Sequence, residues 1–420
     1  MIRKVKKQDL RLGMFIHDLN CGWMDHSFLR NSFMLRKESD LEKIAKSGIT
    51  EVYIDTLKGI DVADDVEAPS LEQVEHIVEE HILQAPEVAP HAPPPEIRTS
   101  HQEELVFAKH IQKEANKVIH SVLEDVRMGK RIQVEKMNPV INQITDSILR
   151  NPGTLVSLCR IREGDTYTFQ HSVSVATLLI SFCRAMDLPA ETVFEAGVGG
   201  MLHDIGKMRV PDHILNKPGK LTDAEFVIMK NHVNLGLEVL LKTPDITETV
   251  IQIAGEHHEK YCGTGYPSRK KGEGISQLGR MAAIVDVYDA ISSNRIYHKG
   301  MEPSIAMKKI YEWSDPASTA EPHMDLEMVK HFIGALGIYP VSTLVRLKSD
   351  RLAVVLEQSQ EGLLSPKVRV MFDCAKRKKI DPVDLDLAAP ENGADGIEGN
   401  EDPDDWKVNP FEYMDIPKIG

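Results

Sequence analysis

The sequence predicts a mainly α fold, in which a helical bundle follows a small α/β N-terminal domain and precedes a short β extension. Two observations support this prediction. Apolar residues recur at helical spacing through the middle of the chain, and short strand-like runs bounded by turn residues lie near both ends. With 420 residues, the chain is long enough for two or three domains and a large core.

Residues 1–62 are predicted to form the small N-terminal domain. Two short strands, at Leu12–Ile16 and Glu51–Asp55, flank a predicted helix at Asp40–Ser47. Gly48 would end this helix, since glycine is the usual residue just beyond a helix C-terminus.

The next segment, residues 63–100, is rich in Pro and acidic side chains. This composition predicts a semi-rigid extended linker, with a short helix over residues 71–83. Residues 101–150 then carry apolar side chains at helical spacing in two stretches, which predicts two connecting helices.

Residues 151–340 are predicted to be almost entirely helical, with helices over Ala190–Leu202 and Gln277–Ser292 among them. Thr222 and Glu225 form the pattern of a capping box, which marks the start of one of these helices. Beyond Tyr339-Pro340 the period changes, so we expect a small β extension at residues 341–380. The acidic tail at residues 381–420 is predicted to be partly disordered.

The charge distribution narrows the range of functions. The net charge is −14, but residues 381–420 hold twelve Asp or Glu and two Lys, so most of the excess lies in the tail. The remaining chain is only mildly acidic. This is compatible with a phosphate-bearing substrate, because binding of such a substrate depends on the local electrostatic field at the site. A duplex DNA partner is not expected, since it would require a basic face.

Cysteine usage and hydropathy indicate a cytoplasmic protein without a membrane span. The five Cys are widely spaced and form no Cys-x-x-Cys motif, which predicts reduced thiols. The basic N-terminus lacks the apolar core of a signal peptide, and the chain has no run of about 18 apolar residues.

The strongest functional pattern is the stretch His203-Asp204-Ile205-Gly206-Lys207. The imidazole offers a neutral nitrogen ligand, the carboxylate could bridge two cations, and the ammonium could neutralise charge on a phosphate oxygen. This combination predicts metal-assisted phosphoester chemistry, with Asp204 and Lys207 as catalytic candidates.

Further candidate metal ligands lie on other predicted helices or at their ends. A helical bundle can direct such side chains at one point, where two metals roughly 3.5–4 Å apart would share and activate a water. Each residue alone is more simply an ordinary His or Asp, but adjacent polar pairs at helix ends favour the metal interpretation. The full candidate set is His171, His203, Asp204, His232, His257, His258 and Asp286.

Around these residues the chain resembles the HD-GYP family, a branch of the HD phosphohydrolase superfamily. The resemblance spans about residues 150–340, and residues 1–60 also resemble a small domain of unknown function that often precedes HD-GYP domains. The matching motifs are His171-Ser172, HDIGK at 203–207, the stretch from Ile214 to Leu221, His232 with Gly236, HHEKYCGTGYP at 257–267, and Asp286 through Asp289-Ala290 to Arg295.

The resemblance implies an HD-type bundle that hydrolyses cyclic di-GMP to pGpG, and in some members on to GMP, by a hydroxide bridging two divalent metals. Fe, Mn and Ni are the favoured ions, although imidazole and carboxylate ligands do not choose among them. By position, one metal would be held by His171, His203, Asp204 and Asp286, and Asp204 would bridge to a second metal held by His232, His257 and His258.

The resemblance also implies substrate contacts. Lys207 matches the lysine that faces the scissile phosphate, while Gly265, Tyr266 and Arg295 match substrate-side positions. An arginine can bind a phosphate or a guanine with two hydrogen bonds, and a tyrosine ring can stack on a base. Lys217 is a further substrate-binding candidate because of its charge, with a solvated surface lysine as the alternative.

Three positions depart from the family pattern. Tyr167 stands where some members carry a Glu that helps to hold a third metal, and a phenol is a poor ligand for hard divalent ions, so we expect two metals. Cys262 stands where Asp or Asn is usual in the loop, which could lower activity. His298 replaces a common basic residue, which puts a substrate contact there in doubt.

Two alternative functions remain open at this point. One is another HD-type nucleotide hydrolase, acting on a dNTP or a guanosine polyphosphate, although the Gly265-Tyr266-Pro267 loop argues against it. The other is a cyclic di-GMP sensor with little or no turnover, which the intact ligand set and Lys207 argue against. The N-terminal domain is the expected site for protein partners, and a homodimer is compatible with the sequence.

Overall fold

The structure is a computed structural model that describes most of the chain. Helices dominate it and two antiparallel sheets accompany them, so the prediction of a mainly α fold is confirmed. The described residues are 1–21, 32–47, 49–63, 66–84, 99–160, 167–219, 221–293, 300–319, 321–359, 362–389 and 395–414.

The N-terminal sheet has four antiparallel strands in the order β1-β4-β2-β3, and Ile44 of the adjoining helix belongs to its separate apolar core. Strand β1 was not predicted because its sequence is mostly basic, but its pairing with β4 buries Val5 opposite Val52. The elements are β1 (Ile2–Lys6), β2 (Phe15–Asp18), β3 (Phe33–Met34), α1 (Glu38–Lys46) and β4 (Glu51–Asp55).

Two helices lead from this sheet to the bundle. Helix α2 (Leu71–Gln84) covers the short helix predicted within the linker. Helix α3 (His101–Arg127) begins with a capping box, in which the side chains of Ser100 and Glu103 each accept a hydrogen bond from the other residue's backbone N–H. Its buried stripe, which includes Leu105 and Ile119, joins the core of the bundle.

The bundle follows from residue 138. The predicted bounds of α7 and α12 match the structure, and the predicted capping box at the start of α9 is present. The helices are α4 (Asn138–Arg150), α5 (Pro152–Cys159), α6 (Tyr167–Ala185), α7 (Ala190–Leu202), α8 (Asp212–Leu215), α9 (Asp223–Lys230), α10 (His232–Leu240), α11 (Glu248–Glu256), α12 (Gln277–Ser292), α13 (Pro303–Ser314) and α14 (Leu326–Leu336).

One continuous apolar core joins the bundle to the C-terminal sheet. Phe182 of α6 and Phe332 of α14 are both fully buried, with ring centroids 5.2 Å apart. Val345 and Val354 of the sheet belong to the same cluster, so the sheet packs directly on the helices. Among the described residues, none of the helices is both long enough and apolar enough to traverse a bilayer.

The C-terminal sheet has five antiparallel strands in the order β8-β7-β6-β5-β9. Its last two strands lie in or extend into the segment where disorder was expected, so that expectation is wrong for the described residues 381–389 and 395–414. The strands are β5 (Leu344–Leu347), β6 (Arg351–Glu357), β7 (Lys367–Asp373), β8 (Lys378–Asp386) and β9 (Ile397–Asn400), followed by α15 (Pro403–Trp406).

Arginines of the central strands explain why these acidic residues are ordered. Arg369 of β7 binds both carboxylate oxygens of Asp384 on β8, at 2.6 and 3.0 Å. Arg351 of β6 binds Asp395, just before β9, at 2.7 Å. Such paired contacts offset the negative charge of the segment, an effect that composition alone does not reveal.

A buried polar cluster docks the N-terminal sheet on α13. Lys4 Nζ lies 2.7 Å from Glu312 Oε1 and 3.0 Å from Glu51 Oε2. The Tyr53 hydroxyl donates to Glu312 Oε1 at 2.8 Å, and Lys309 Nζ lies 3.2 Å from Glu312 Oε2. Burial alone would raise the pKa of Glu312, but the charges of Lys309 and Lys4 hold that pKa below its usual value.

We predict that Lys4→Met destabilises the protein by about 3 kcal/mol, because removing one partner leaves a buried carboxylate poorly compensated. Urea denaturation measures the effect, and Lys6→Met, at an exposed position of the same strand, serves as the matched control. The lowered pKa of Glu312 means that this stability is present above the usual value of 4.5 and is lost as the pH falls through the lowered pKa. The difference between Lys4→Met and the wild type should therefore shrink in acid; a constant difference would contradict the assignment.

Candidate metal centre

A tight turn after α7 brings the central side chains into place. His203 caps the helix, and a short 3-10 turn over residues 205–209 follows Asp204. A Cβ at Gly206 would lie 1.9 Å from the His232 carbonyl oxygen, so only glycine permits this approach. The missing side chain at Gly206 therefore allows His203 and Asp204 to meet the start of α10.

Three histidines share one arrangement at helix C-termini. In each, the ring Nδ1 lies within hydrogen-bond distance of a carbonyl oxygen three residues earlier, in the last turn of a helix. A carbonyl oxygen can only accept, so Nδ1 carries the proton and Nε2 keeps a lone pair suited to a metal. The pairs are His203 with Gly200 at 2.8 Å, His232 with Met229 at 2.7 Å, and His257 with Ala254 at 3.0 Å.

His171, near the start of α6, is oriented by a carboxylate instead. Its Nδ1 lies 2.6 Å from Asp289 Oδ2, and its Nε2 lies 3.1 Å from Asp286 Oδ1. Asp289 is buried and also accepts hydrogen bonds from the hydroxyls of Ser174 and Ser293. Burial alone would lower the pKa of His171, but Asp286 and Asp289 together raise it above its usual value.

The Asp204 carboxylate lies between two sets of side chains. Its Oδ1 is 3.2 Å from His232 Nε2 and 3.8 Å from His257 Nε2. Its Oδ2 is 3.3 Å from His203 Nε2 and 3.6 Å from His171 Nε2. One oxygen toward each set is the arrangement that a bridging carboxylate requires.

Electrostatics keep Asp204 charged. Burial alone would raise its pKa, but the positive charge of Lys207 holds the pKa well below its usual range. Lys207 Nζ contacts Asp204 Oδ2 directly. On the other side, Oδ1 faces His232 Nε2, and neither atom carries a proton, because the His232 proton is on Nδ1. Two acceptors in contact are repulsive unless a cation lies between them.

Four buried atoms of the centre have no hydrogen bond within the described part of the chain. They are Asp204 Oδ1 and the Nε2 atoms of His232, His257 and His258. Each unsatisfied buried group costs about 1–3 kcal/mol, so a cluster of four fits a shared cation. Burial lowers the pKa of His232 and of His258, which keeps both imidazoles neutral, as coordination needs.

The seven predicted ligands form two groups, and within each group the ligand atoms lie within 4.8 Å of one another. Nitrogen and oxygen donors in this mixture suit divalent transition ions. The first group is Asp204, His232, His257 and His258, and the second is His171, His203 and Asp286. The structure therefore brings all seven side chains together, while their role as metal ligands stays a prediction.

The loop after α11 covers one side of the centre. Tyr266 stacks on His258 with ring centroids 4.7 Å apart, and Lys230 Nζ lies 4.9 Å from the centre of the Tyr266 ring. Gly265 is needed because a Cβ there would lie 2.6 Å from the His258 carbonyl oxygen. Gly265 and Tyr266 both line the cavity beside the centre, where substrate-side residues would lie.

Two glutamates for which no structural role was predicted anchor this loop. Glu259 accepts hydrogen bonds from the backbone N–H groups of Ser268 and Lys270, at 2.7 and 3.1 Å. Glu256 accepts from the backbone and hydroxyl of Ser276, at 2.8 and 2.6 Å. Asp289 belongs to a motif matched in the sequence, but its support of His171 was not predicted; it follows Asp286 by three positions, which places both on one face of α12.

The structure describes only some of the other residues for which a role was predicted. Lys217 Nζ lies 2.6 Å from Glu225, and this ion pair and the Thr222 hydrogen bonds lower the pKa of Glu225 to about 2. The pair ties the loop before α9 to its capping box, so a substrate contact by Lys217 stays a prediction. Arg295 and His298 lie outside the described residues, as does the side chain of Tyr167.

We predict that Asp289→Asn weakens metal binding about 10- to 100-fold, because an amide cannot hold the His171 Nδ1–H as the carboxylate does. Metal content after dialysis at graded free-ion concentrations measures the affinity. Asp212→Asn, at an exposed position, is the matched control. Unchanged metal binding by Asp289→Asn would show that His171 needs no such support.

Comparison with known proteins identifies two matching family profiles: residues 2–137 match a domain of unknown function, DUF3391, and residues 160–316 match the HD domain. A cyclic di-GMP phosphodiesterase of Pseudomonas aeruginosa, PA4108, is 38% identical over 415 residues, which cover 99% of this chain and 95% of that protein. In Vibrio cholerae, 3'3'-cGAMP-specific phosphodiesterase 2 is 46% identical over 97 residues, which cover 23% of this chain and 19% of that protein.

A solved structure, that of Bd1817, an HDG"Y"P protein from Bdellovibrio bacteriovorus, aligns with 80% of this chain and 99% of its own at a TM-score of 0.45 and 18% identity. A TM-score this low supports no conclusion about the present chain. The decisive match is the Pseudomonas relative, which is similar over nearly the whole of both chains. Together with the HD-domain profile over the bundle, it confirms the resemblance recognised in the sequence: the chain belongs to the HD-GYP family of the HD phosphohydrolase superfamily.

Proposed function

We propose that the protein is a metal-dependent phosphodiesterase that hydrolyses cyclic di-GMP to linear pGpG. The observation that carries this proposal is the buried Asp204 carboxylate, whose two oxygens face two separate groups of potential ligands. The family supports it, since the relative matched over nearly its full length is named a cyclic di-GMP phosphodiesterase.

The ligand groups support a site for two divalent ions. His171, His203 and Asp286 would hold one ion together with Asp204 Oδ2, and His232, His257 and His258 would hold the other with Asp204 Oδ1. Fe, Mn and Ni are the candidate ions, because these ligand types do not by themselves select one of them. When bound, such ions would lower the pKa of a coordinated water and stabilise charge on the attacking and leaving oxygens.

Other side chains of the protein would bind and orient the substrate. The Lys207 ammonium, next to Asp204 and 16% exposed, would neutralise charge that develops on a phosphate oxygen. Lys230 and Lys260 line the cavity and add positive field for a substrate with two phosphates. Tyr266, stacked on His258, would present its ring to a base.

Cyclic di-GMP is favoured over the related dinucleotide 3'3'-cGAMP. The cGAMP-specific relative matches only 97 residues of this chain, whereas the cyclic di-GMP relative matches 415. The alternative of a sensor without turnover is less favoured, because all seven ligands and Lys207 are retained. Incubating the metal-loaded protein with each dinucleotide and separating the products by chromatography tests both points: binding without pGpG formation would favour the sensor.

We predict that Asp204→Asn abolishes both turnover and stable metal binding, since the amide offers no bridging charge to the two groups. Metal analysis and pGpG formation are measured on the same preparation. Metal removal from the wild type with a chelator should likewise stop turnover, and Mn or Fe should restore it. Full metal content in Asp204→Asn would mean that Asp204 is not the bridge.

We predict that Lys207→Met keeps the metals but lowers kcat by about 10²- to 10³-fold, the usual effect of removing one group that stabilises the transition state. The metals are retained because ions at the centre replace the ammonium as the positive neighbour of Asp204. This variant is the matched control for Asp204→Asn, since the two should differ in metal content. Loss of metal in both variants would contradict a role for Lys207 at the phosphate.

A further inference from the structure

The cavity beside the metal centre has two chemically different ends. One end is ionic and includes His257, His258 and Asp286. The other end is formed by α12, α13 and the segment after α13, and its lining is largely apolar. The residues of this second end are Val287, Ala290, Ile291, Trp313, His323 and Met324. A dinucleotide matches this division, because its phosphates suit the ionic end and its flat bases suit the apolar end.

Trp313 is the largest side chain of this end, and the N-terminal domain holds it. The indole Nε1–H donates to Asn20 Oδ1 at 3.0 Å, although the two residues lie 293 positions apart. The Asn20 amide also donates from Nδ2 to Glu312 Oε1 at 3.4 Å. Asn20 is 8% exposed and Trp313 is 5% exposed, so water does not compete for this hydrogen bond, and the bond fixes the orientation of the indole.

The chain on the C-terminal side of Trp313 is also fixed. Lys4 Nζ donates to the Ser318 carbonyl oxygen at 2.7 Å. His81, on α2, places its Nδ1 3.0 Å from Asp315 Oδ2. The N-terminal sheet and α2 therefore hold the end of α13 and the turn that follows it.

Backbone hydrogen bonds extend this connection to the loop over the metal centre. The His323 N–H donates to the Trp313 carbonyl oxygen at 2.8 Å, and the Tyr261 N–H donates to the His323 carbonyl oxygen at 2.8 Å. Tyr261 follows the His257-His258 pair and precedes Tyr266. An unbroken series of contacts thus runs from Asn20 through Trp313 to the loop that carries two of the predicted metal ligands.

We propose that Trp313 is a substrate-contacting residue whose exposed edge closes the apolar end of the cavity against a purine base of the dinucleotide, and that Asn20 is a positioning residue that fixes the indole for this contact. The N-terminal domain thereby supports the wall of the substrate cavity. This inference rests on the proposed function and adds to it a base-binding residue and a role for the N-terminal sheet. Because only 5% of Trp313 is exposed, the base would meet the edge of the indole, and such an edge-to-face contact is sensitive to the orientation of the ring.

The test measures binding of a hydrolysis-resistant phosphorothioate analogue of cyclic di-GMP to the metal-loaded, full-length protein. Trp313→Phe, which keeps an apolar ring but loses the Nε1–H and the part of the indole edge that reaches the cavity, should weaken binding about tenfold. Asn20→Gly should weaken binding about fivefold through loss of the hydrogen bond. Glycine is chosen because Asn20 has φ of 51°, which glycine adopts without strain. Trp313→Tyr replaces the Phe variant if the latter does not fold.

The double variant separates positioning from a general loss of stability. Asn20 acts through the indole, so Asn20→Gly combined with Trp313→Phe should bind within about twofold of Trp313→Phe alone. Multiplication of the two single effects would overturn the positioning role. In turnover assays Asn20→Gly should raise KM by the same factor as it weakens binding, with kcat nearly unchanged.

Tyr53→Phe is the matched control, because it removes another hydrogen bond to Glu312 from the same buried cluster without touching Trp313. It should leave the affinity within about twofold of the wild type. A loss equal to that of Asn20→Gly would mean that docking of the sheet in general, and not the contact with Trp313, determines the affinity.

The same measurements separate failure of the proposed function from failure of this inference. Wild-type protein that binds the analogue but forms no pGpG from cyclic di-GMP refutes the proposed function alone, and the variants then decide this inference. Unchanged binding in Trp313→Phe refutes the inference alone, and no binding by the wild type refutes both.

Discussion

The burial of the Asp204 carboxylate is the constraint on which the rest of the site depends. A buried charge is costly unless other charges and hydrogen bonds compensate it. Lys207 contacts one of its oxygens, but the other oxygen faces the lone pairs of His232 and His257. Cations among these atoms would remove this repulsion, and its relief would add to their affinity for the site.

The orientation of the imidazoles comes from the backbone of the bundle. Helix C-termini leave carbonyl groups without an intrahelical partner, and His203, His232 and His257 each bind one of them. The same helix ends carry partial negative charge, which favours a nearby cation. The fold thus sets the tautomer, the ring orientation and part of the field together, so these ligands need few dedicated side chains to support them.

The features that could be predicted are those whose signal is local in sequence. The adjacent His203-Asp204 and His257-His258 pairs identified the centre, and helical spacing located α7 and α12. The features that were missed depend on partners far along the chain. Asp289 supports His171 from 118 positions away, and the strands in the acidic segment are ordered by Arg351 and Arg369. Likewise, nothing near Asn20 in the sequence indicates that it binds Trp313.

The C-terminal sheet also has a consequence for association between molecules. Open edge strands are templates for pairing with another chain, and proteins block them with charge, proline or added strands. Here β9 covers the outer edge of the apolar strand β5, and β8, at the opposite edge, carries Pro382 among exposed charged side chains. The acidic segment that contains β9 thus blocks edge-to-edge pairing of two molecules. Removal of β9 would expose the apolar edge of β5 and favour aggregation.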